Sequence, residues 1–248
     1  MPSNGYIVWE GSSEVDGNPI VLLLTGTLTP SSNPKTGWMM QTWIMRSDVH
    51  PLESIHNNND VSVCGDCPLK GSSGHKRSCY VNLATLGNIY RVYKRGGYPQ
   101  LIDLKSIRRR SIRLGAYGDP AAIPYGVWEP LLLAIDPTLA KPGKRDPLGS
   151  VVRTGYTHLW KIADPRFQKV TMASVESPAL REAAKEKGWR TYRVKRPDEL
   201  VLPGEIICPA SKETEIATTC VQCGLCGGTS VKGPDIVINI HGSRTKYF

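Results

Sequence analysis

The sequence predicts an α/β fold: a complete or partial parallel α/β barrel with a small N-terminal antiparallel sheet and a metal-tied C-terminal loop. From residue 111 onward, short apolar runs alternate with helical segments, which implies parallel strands with helices on the outside. The first 60 residues instead contain three apolar runs separated by Gly, Pro, Asn and Ser clusters, which is typical of antiparallel strands. We therefore expect N-terminal strands over residues 1–60, packed on a barrel formed by residues 61–248. An open doubly wound sheet is the alternative.

The N-terminal strands are predicted at residues 6–9, 19–26 and 38–47. Side chains of the third run alternate in character, which indicates a strand buried on one face only. The polar, Asn-rich segment 48–60 is expected to be a connector. A helix is predicted to start directly on Cys79, because apolar residues follow it at helical spacing and the pair Gly96-Gly97 supplies a stop.

The second half of the chain contains the parallel elements. Strands are predicted over IRLGAYGDP, TGYTHLW, KVTMASVES, TYRVK, EIICPAS and DIVINIHG, and helices over YGVWEPLLLAI and SPALREAAKEKGW. Ligands of parallel α/β folds bind at the carboxyl ends of the strands. The residues placed there are Cys64, Cys67, Gly118, Asp119, Pro120, His158, Glu176, Ser177, Cys208 and His241.

Composition limits the class of protein. Hydrophobic residues make up 40% of the 248 residues and no apolar run approaches membrane-spanning length, so we expect a globular chain without a membrane partner. The N-terminus lacks the features of a secretory signal, which favours a reducing cytoplasm. A net charge of +9 suggests nucleic acid, another polyanion, or an anionic substrate or cofactor. The motifs of serine hydrolases, zincins and P-loop NTPases are missing from the sequence.

The first cysteine group is Cys64, Cys67 and Cys79, in the pattern C-x2-C-x11-C. Seven cysteines, an odd number in two groups, favour metal ligation over disulfides. With His75 as a fourth ligand the first group suits zinc. Without it, three thiolates suit an iron–sulfur cluster with one open iron. The spacing alone leaves both alternatives open.

The second cysteine group is Cys208, Cys220, Cys223 and Cys226, in the pattern C-x11-C-x2-C-x2-C. A C-x2-C-x2-C run with a remote cysteine followed by proline resembles the ligand pattern of bacterial ferredoxins. Four thiolates also suit zinc. Either metal makes residues 208–226 a tied loop between the last two strands.

These motifs together resemble the radical S-adenosylmethionine superfamily. Tyr80 follows the third thiol, a strand ends in Gly118-Asp119-Pro120, and the C-terminal cysteines suit an auxiliary cluster. The resemblance implies a [4Fe-4S] cluster held by three cysteines, with S-adenosylmethionine on the fourth iron and in contact with the Gly-Asp-Pro turn and Tyr80. The spacing differs from the superfamily's C-x3-C-x2-C. Between residues 64 and 242 the chain also looks like phage-encoded proteins with a radical-SAM-like barrel.

Two functions follow from these features. The first is a radical-SAM-like enzyme in which Glu176 or His158 handles protons. The second is a zinc protein that binds nucleic acid without catalysis. Its phosphate contacts would come from the densest basic run of the chain, which comprises Arg108, Arg109, Arg110 and Arg113.

Overall fold

The computed structural model describes residues 3–71, 74–140 and 151–248, and within them nine strands form one sheet in the order β1-β2-β3-β4-β5-β6-β7-β9-β8. The strands are β1 Gly5–Ser12, β2 Pro19–Thr25, β3 Met40–Arg46, β4 Ile112–Tyr117, β5 Arg153–Thr157, β6 Met172–Val175, β7 Thr191–Lys195, β8 Glu205–Ile207 and β9 Asp235–Asn239. The pairs β1–β2 and β2–β3 are antiparallel, and the other pairs are parallel. The predicted α/β class with a mostly parallel sheet is confirmed.

The described residues also form six α-helices. They are α1 Pro51–His56, α2 Val61–Cys64, α3 Leu83–Lys94, α4 Tyr125–Ile135, α5 Pro178–Glu186 and α6 Cys220–Cys223. None of the helices in these ranges is both long and apolar enough to cross a membrane.

Two sequence-based boundaries were wrong. The helix predicted to start on Cys79 begins at Leu83, because the side chain of Asn82 caps it by accepting hydrogen bonds from the backbone N–H groups of Ala84 and Thr85. The connector at residues 48–60 contains α1, which the side chain of His50 caps.

The strand β3 is buried along its whole length, not on one face only. Helices α1 and α2 contact β3, and the apolar strand β2 and the strand β4 pair with its two edges. Because β3 pairs with β4 in parallel, with Met40 opposite Ile112, the N-terminal strands belong to the same sheet as the parallel strands. Helix α5 packs on β6 and β7 further along this sheet.

The parallel pairing places several strand ends along one edge of the sheet. Strands β4, β5, β6, β8 and β9 are followed respectively by Gly118 and Asp119, His158, Glu176, Cys208 and His241. Since all five strands run in the same direction, these residues share the carboxyl edge, as the sequence predicted. The cysteine segment reaches the same edge because the Asp119 N–H donates to the carbonyl oxygen of Val63, at 2.6 Å.

Gly118 is the residue that makes the turn after β4 possible. Its φ is +78°, a conformation that residues with a side chain rarely adopt. A Cβ atom at this position would lie 2.7 Å from both the Cβ atom and the carbonyl oxygen of Ile44. The turn therefore needs glycine for its backbone angle and for the close approach of β3.

We expect Gly118→Ala to lower the free energy of unfolding by about 2–4 kcal/mol, because backbone strain and overpacking add. Urea denaturation of the two proteins measures this difference. Gly126→Ala in α4 is the matched control, because open space surrounds that position and alanine favours a helix by up to about 1 kcal/mol. Equal effects of the two substitutions would contradict the role given to Gly118.

Candidate metal centre

A tight turn brings the first two thiols together. Cys64 ends α2, and the Cys67 N–H donates to the Cys64 carbonyl oxygen at 3.2 Å. Gly65 lies between them with a φ of +57°, and a Cβ atom there would lie 2.4 Å from the side chain of Leu159. Both thiols consequently line one cavity at the carboxyl edge of the sheet.

The third thiol returns to this cavity through a closed loop. The carbonyl oxygen of Leu69 accepts hydrogen bonds from the backbone N–H groups of Ser78, at 3.1 Å, and Cys79, at 2.8 Å. The chain therefore leaves after Leu69 and comes back to the same point, so Cys79 lines the cavity beside Cys67. The long spacing between these two cysteines in sequence becomes a short separation in space.

The cavity is larger than a single metal ion needs. Its volume is about 110 Å³, against roughly 10–15 Å³ for one water molecule. Among its lining residues, those with side chains able to bind a metal or a polar ligand are Cys64, Cys67, Lys70, Arg77, Cys79, Tyr80, Arg113, Tyr117, Asp119, Tyr156, His158, Ser174 and Tyr192.

The predicted proton-handling residues, His158 and Glu176, are in direct contact. The Nε2 atom of His158 lies 2.6 Å from Oε1 of Glu176 and 3.7 Å from the Sγ atom of Cys67. Burial opposes a positive charge on this imidazole, but Cys67 and Glu176 outweigh it and raise the pKa of His158 well above its usual value. His158 therefore lies against the thiol of Cys67, and together with Glu176 it can hold a proton there.

Asp119 lines the cavity, but its carboxylate is occupied by the protein itself. Its Oδ2 atom accepts from the backbone N–H groups of His158, at 2.7 Å, and Leu159, at 3.2 Å. Its Oδ1 atom accepts from the N–H of Ala121, at 2.9 Å. Burial, the largest influence, raises the pKa of Asp119 despite these bonds. The carboxylate thus positions His158, a role that the sequence did not indicate.

The other residues predicted to contact a cofactor are divided. Tyr80 and Gly118 line the cavity. The Tyr80 hydroxyl accepts a hydrogen bond from Arg113 at 3.1 Å, and its ring lies 4.6 Å from that of His241. Pro120 instead starts the 3-10 helix Pro120–Ala122, and its carbonyl oxygen accepts from the indole N–H of Trp128. Pro120 therefore shapes the turn.

His75, the alternative fourth ligand, is exposed. Its Nε2 atom lies 2.8 Å from the carbonyl oxygen of Pro68, so the imidazole contacts the backbone of its own loop. The histidine that approaches the thiols is His158. Sequence reasoning also missed Arg77, Tyr117, Tyr156 and Tyr192 in the cavity lining. The one available signal was that Tyr117 and Tyr156 lie on β4 and β5, within two residues of the predicted rim residues Gly118 and His158.

The second cysteine group gathers beyond the end of β8. Cys208 follows that strand, while Cys220 and Cys223 begin and end α6. Burial raises the pKa of the Cys226 thiol to about 12, and the other three thiols of the group add to this rise. All seven cysteines are free. None of the four cysteines of the second group is therefore in a disulfide.

One layer of side chains separates the two cysteine groups. A second cavity, lined by Cys208 and Cys220, shares Tyr80, Arg113, Tyr156 and Tyr192 with the first. The rings of Tyr156 and Tyr192 lie 4.1 Å apart within this layer. The two groups are neighbours at one edge of the sheet.

The donor chemistry of both groups suits a soft metal. Within the described ranges, no set of three or more His, Cys, Asp or Glu side chains already has the arrangement of a metal site. Burial raises the pKa of Cys64 and Cys79, so their thiolate forms need a nearby positive charge. Zinc or an iron–sulfur cluster provides that charge and prefers thiolates. That the seven cysteines are metal ligands stays a prediction.

The four arginines of the basic run do not share one surface. Arg108 and Arg109 are exposed. Arg110 donates to the carbonyl oxygens of Thr27 and Gly26, and Arg113 lies in the cavity against Tyr80. A nucleic-acid interface at this run stays a prediction, and only its first two residues present charge to solvent in the way that phosphate binding requires.

We expect Asp119→Asn to lower the free energy of unfolding by about 1–3 kcal/mol, because one side of the new amide would face backbone N–H groups as a donor. Urea denaturation measures the loss. Asp164→Asn is the control, because Asp164 caps an exposed 3-10 helix and should cost about 1 kcal/mol or less. A smaller loss at Asp119 than at Asp164 would show that Asp119 does not anchor the edge.

Metal removal should loosen only part of the C-terminal loop. Arg190 donates to the carbonyl oxygens of Leu225, at 2.7 Å, Gly228, at 3.1 Å, and Val231, at 3.2 Å, so that part is held without metal. Hydrogen exchange should accelerate over residues 209–224 on chelation and stay slow over 225–234. Arg190→Met should accelerate exchange in 225–234 even with metal bound. Unchanged exchange over 209–224 on chelation would contradict a metal there.

Comparisons of the chain with protein-family models, with curated proteins and with solved structures gave no match. The chemistry of the cavity's own residues is therefore the basis on which a function is assigned.

Proposed function

We propose that the protein is a metal-dependent enzyme of phage or bacterial origin, similar to radical S-adenosylmethionine enzymes, with its active site in the cavity lined by Cys64, Cys67 and Cys79. The observation that supports this most is the convergence of three thiols from one short segment on a cavity that is also lined by His158, whose Nε2 atom lies 2.6 Å from Oε1 of Glu176. We further propose that the mostly parallel sheet forms a complete or partial α/β barrel. A reducing cytoplasm would keep the thiols available.

The contacts of the two histidines favour an iron–sulfur cluster over a closed zinc site. His75 is exposed and contacts Pro68. The Nε2 atom of His158 is within hydrogen-bond distance of Glu176. A ring nitrogen that keeps its proton and donates a hydrogen bond to a carboxylate has no lone pair for a metal. Three thiolates without a fourth protein ligand are the set that leaves one iron of a [4Fe-4S] cluster open.

The chemistry would be divided between the bound groups and the chain. When bound, the cluster and S-adenosylmethionine supply one-electron chemistry, which protein side chains cannot perform. His158 holds a proton at Nε2, and Glu176 accepts the hydrogen bond of that proton at 2.6 Å. Asp119 fixes the imidazole through the backbone of His158. Arg113 and Tyr80 close the side of the cavity next to the second cysteine group, where an anionic or polar ligand group could bind.

Anaerobic purification with metal analysis and visible spectroscopy tests this function. The protein should contain iron and absorb in the visible range, and His75→Ala and His158→Ala should both retain the iron. Cys79→Ala should lose it, because a thiolate ligand is removed. Adding S-adenosylmethionine to the reduced protein should change the magnetic resonance spectrum of the cluster and release 5′-deoxyadenosine slowly.

A colourless protein with stoichiometric zinc would contradict this proposal. Zinc that is lost on His75→Ala or His158→Ala would identify a four-ligand structural site, since removing one of four tetrahedral ligands weakens binding sharply. The competing function is then a zinc protein that binds nucleic acid. Its binding would weaken steeply with salt and with charge reversal of the two exposed arginines, Arg108 and Arg109.

A further inference from the structure

Arg77 is a buried cation whose guanidinium has no hydrogen bond to the part of the chain that the structure describes. Its exposed fraction is 6%, and none of the three guanidinium nitrogens makes a hydrogen bond to a described residue. A guanidinium has five N–H donors, and leaving a buried charged group unsatisfied is costly. The buried guanidinium therefore destabilises the fold unless a further group accepts hydrogen bonds from it.

The nearest carboxylate does not satisfy Arg77. Oδ2 of Asp60 lies 3.8 Å from the guanidinium and also makes no hydrogen bond to the described residues. Asp60 is shared with Lys70, whose Nζ atom lies 3.5 Å from Oδ1. Lys70 has further partners in the side chain of Asn58 and the carbonyl oxygen of Gly71. Two buried cations thus face one carboxylate, and of the two Arg77 is the one without a hydrogen bond to another described residue.

Arg77 lies beside the thiols of the first cysteine group. It precedes Cys79 by two residues and lines the same cavity as Cys64 and Cys67. Its backbone packs closely against Gly71. The φ of Gly71 is +85°, and a Cβ atom on this glycine would lie 2.8 Å from the backbone nitrogen of Arg77.

Tyr117 is a second donor without a partner in the same cavity. Its exposed fraction is 3%, and its hydroxyl makes no hydrogen bond to a described residue. It lies close enough to Cys64, Asp60 and Arg77 for their charges to influence it. Two unpartnered buried donors beside three thiols indicate an anionic group that accepts hydrogen bonds there.

We propose that Arg77 and Tyr117 donate hydrogen bonds to a metal group that is bound by the thiolates of Cys64, Cys67 and Cys79. This inference rests on the proposed metal binding. Three thiolates on a doubly charged metal ion or cluster leave one net negative charge, which the guanidinium of Arg77 balances. Hydrogen bonds to ligating sulfurs and nearby charges set the affinity and reduction potential of such groups. Arg77 is thus a positioning and charge-balancing residue for this centre.

Metal retention and reduction potential of the loaded protein test the proposal. Arg77→Gln should accelerate metal loss to a chelator by about tenfold or more, since contacts of this kind typically contribute that much. In an iron-loaded protein it should also lower the reduction potential, because a positive charge stabilises the reduced form. Asp60→Asn should shift the potential in the opposite direction. Lys76→Met, which removes an exposed cation of the same loop that does not line the cavity, is the control and should change both quantities much less.

Tyr117→Phe is a variant that should fold in any case. It removes a buried hydroxyl without a partner, so the metal-free protein should unfold at the same urea concentration as the wild type or at a higher one. The loaded variant should lose metal faster than the loaded wild type. A structural role for the hydroxyl would instead lower the stability of the metal-free protein.

The outcomes separate this inference from the proposed function. A wild-type protein that binds no metal at the first cysteine group overturns both. A wild type that binds metal, with Arg77→Gln and Tyr117→Phe retaining it equally well, overturns this inference alone. If Arg77 only pairs with Asp60, then Arg77→Gln and Asp60→Asn both destabilise the fold and neither shifts the potential. If the metal is zinc, which has no reduction potential to measure, the rate of metal loss alone tests the inference.

Discussion

The carboxyl edge of the sheet depends on the environment of one residue, Asp119. Its carboxylate accepts backbone hydrogen bonds from His158, Leu159 and Ala121, and its own N–H donates to Val63. It therefore joins the end of β4 to the start of the segment after β5 and to the helix that ends in Cys64. Burying a carboxylate raises the free energy of the folded state unless the carboxylate accepts several hydrogen bonds. The hydrogen bonds of Asp119 offset this penalty at the junction of the three segments. The cysteine turn and the imidazole take their positions from it.

The layer between the two cysteine groups has a related consequence. Tyr80, Arg113, Tyr156 and Tyr192 line both cavities, so a change in the charge of either group acts on side chains that the other group also contacts. Burial raises the pKa of Tyr156 and Tyr192 well above the usual value, so both remain neutral. Arg113 is the charged member of the layer. The two groups are thus separated by low-dielectric aromatic material with one cation in it, and their electrostatic interaction is less screened than it would be through water.

The sequence predicted the elements and the edge better than it predicted the site. The spacing of apolar residues, together with the Gly and Pro residues at the ends of the segments, identifies β4, β6 and α5. In these elements the apolar positions follow directly from the face that each element buries. The predicted burial of β3 was wrong, because α1, one of the two helices that contact this strand, lies in the segment 48–60, whose polar composition indicates a connector. Strand order then decided which residues became neighbours. The contact of His158 with Cys67, 91 positions apart, arises from that order, and no local pattern encodes it.

The roles of individual side chains were the least predictable. Asp119 and His75 have the chemistry of a ligand in sequence, but backbone hydrogen bonds occupy the first and the second is exposed on its loop. Arg77 had no motif at all. Its guanidinium is buried without a hydrogen bond to any residue that the structure describes, and that property exists only in the folded chain.

The hydrogen bonds that close the loop at Leu69 make the positions of the thiols independent of the number of residues between Cys67 and Cys79. Because the Leu69 carbonyl oxygen bonds to both Ser78 and Cys79, the positions of the thiols are set at the neck of the loop and not by the number of residues in it. Lengthening a loop whose ends are already joined costs little, roughly 0.6 kcal/mol for each doubling. Residues between Gly71 and Arg77 can therefore be inserted or removed while Cys79 stays beside Cys67. The number of residues between the second and third cysteines therefore does not by itself fix the positions of their thiols in this fold.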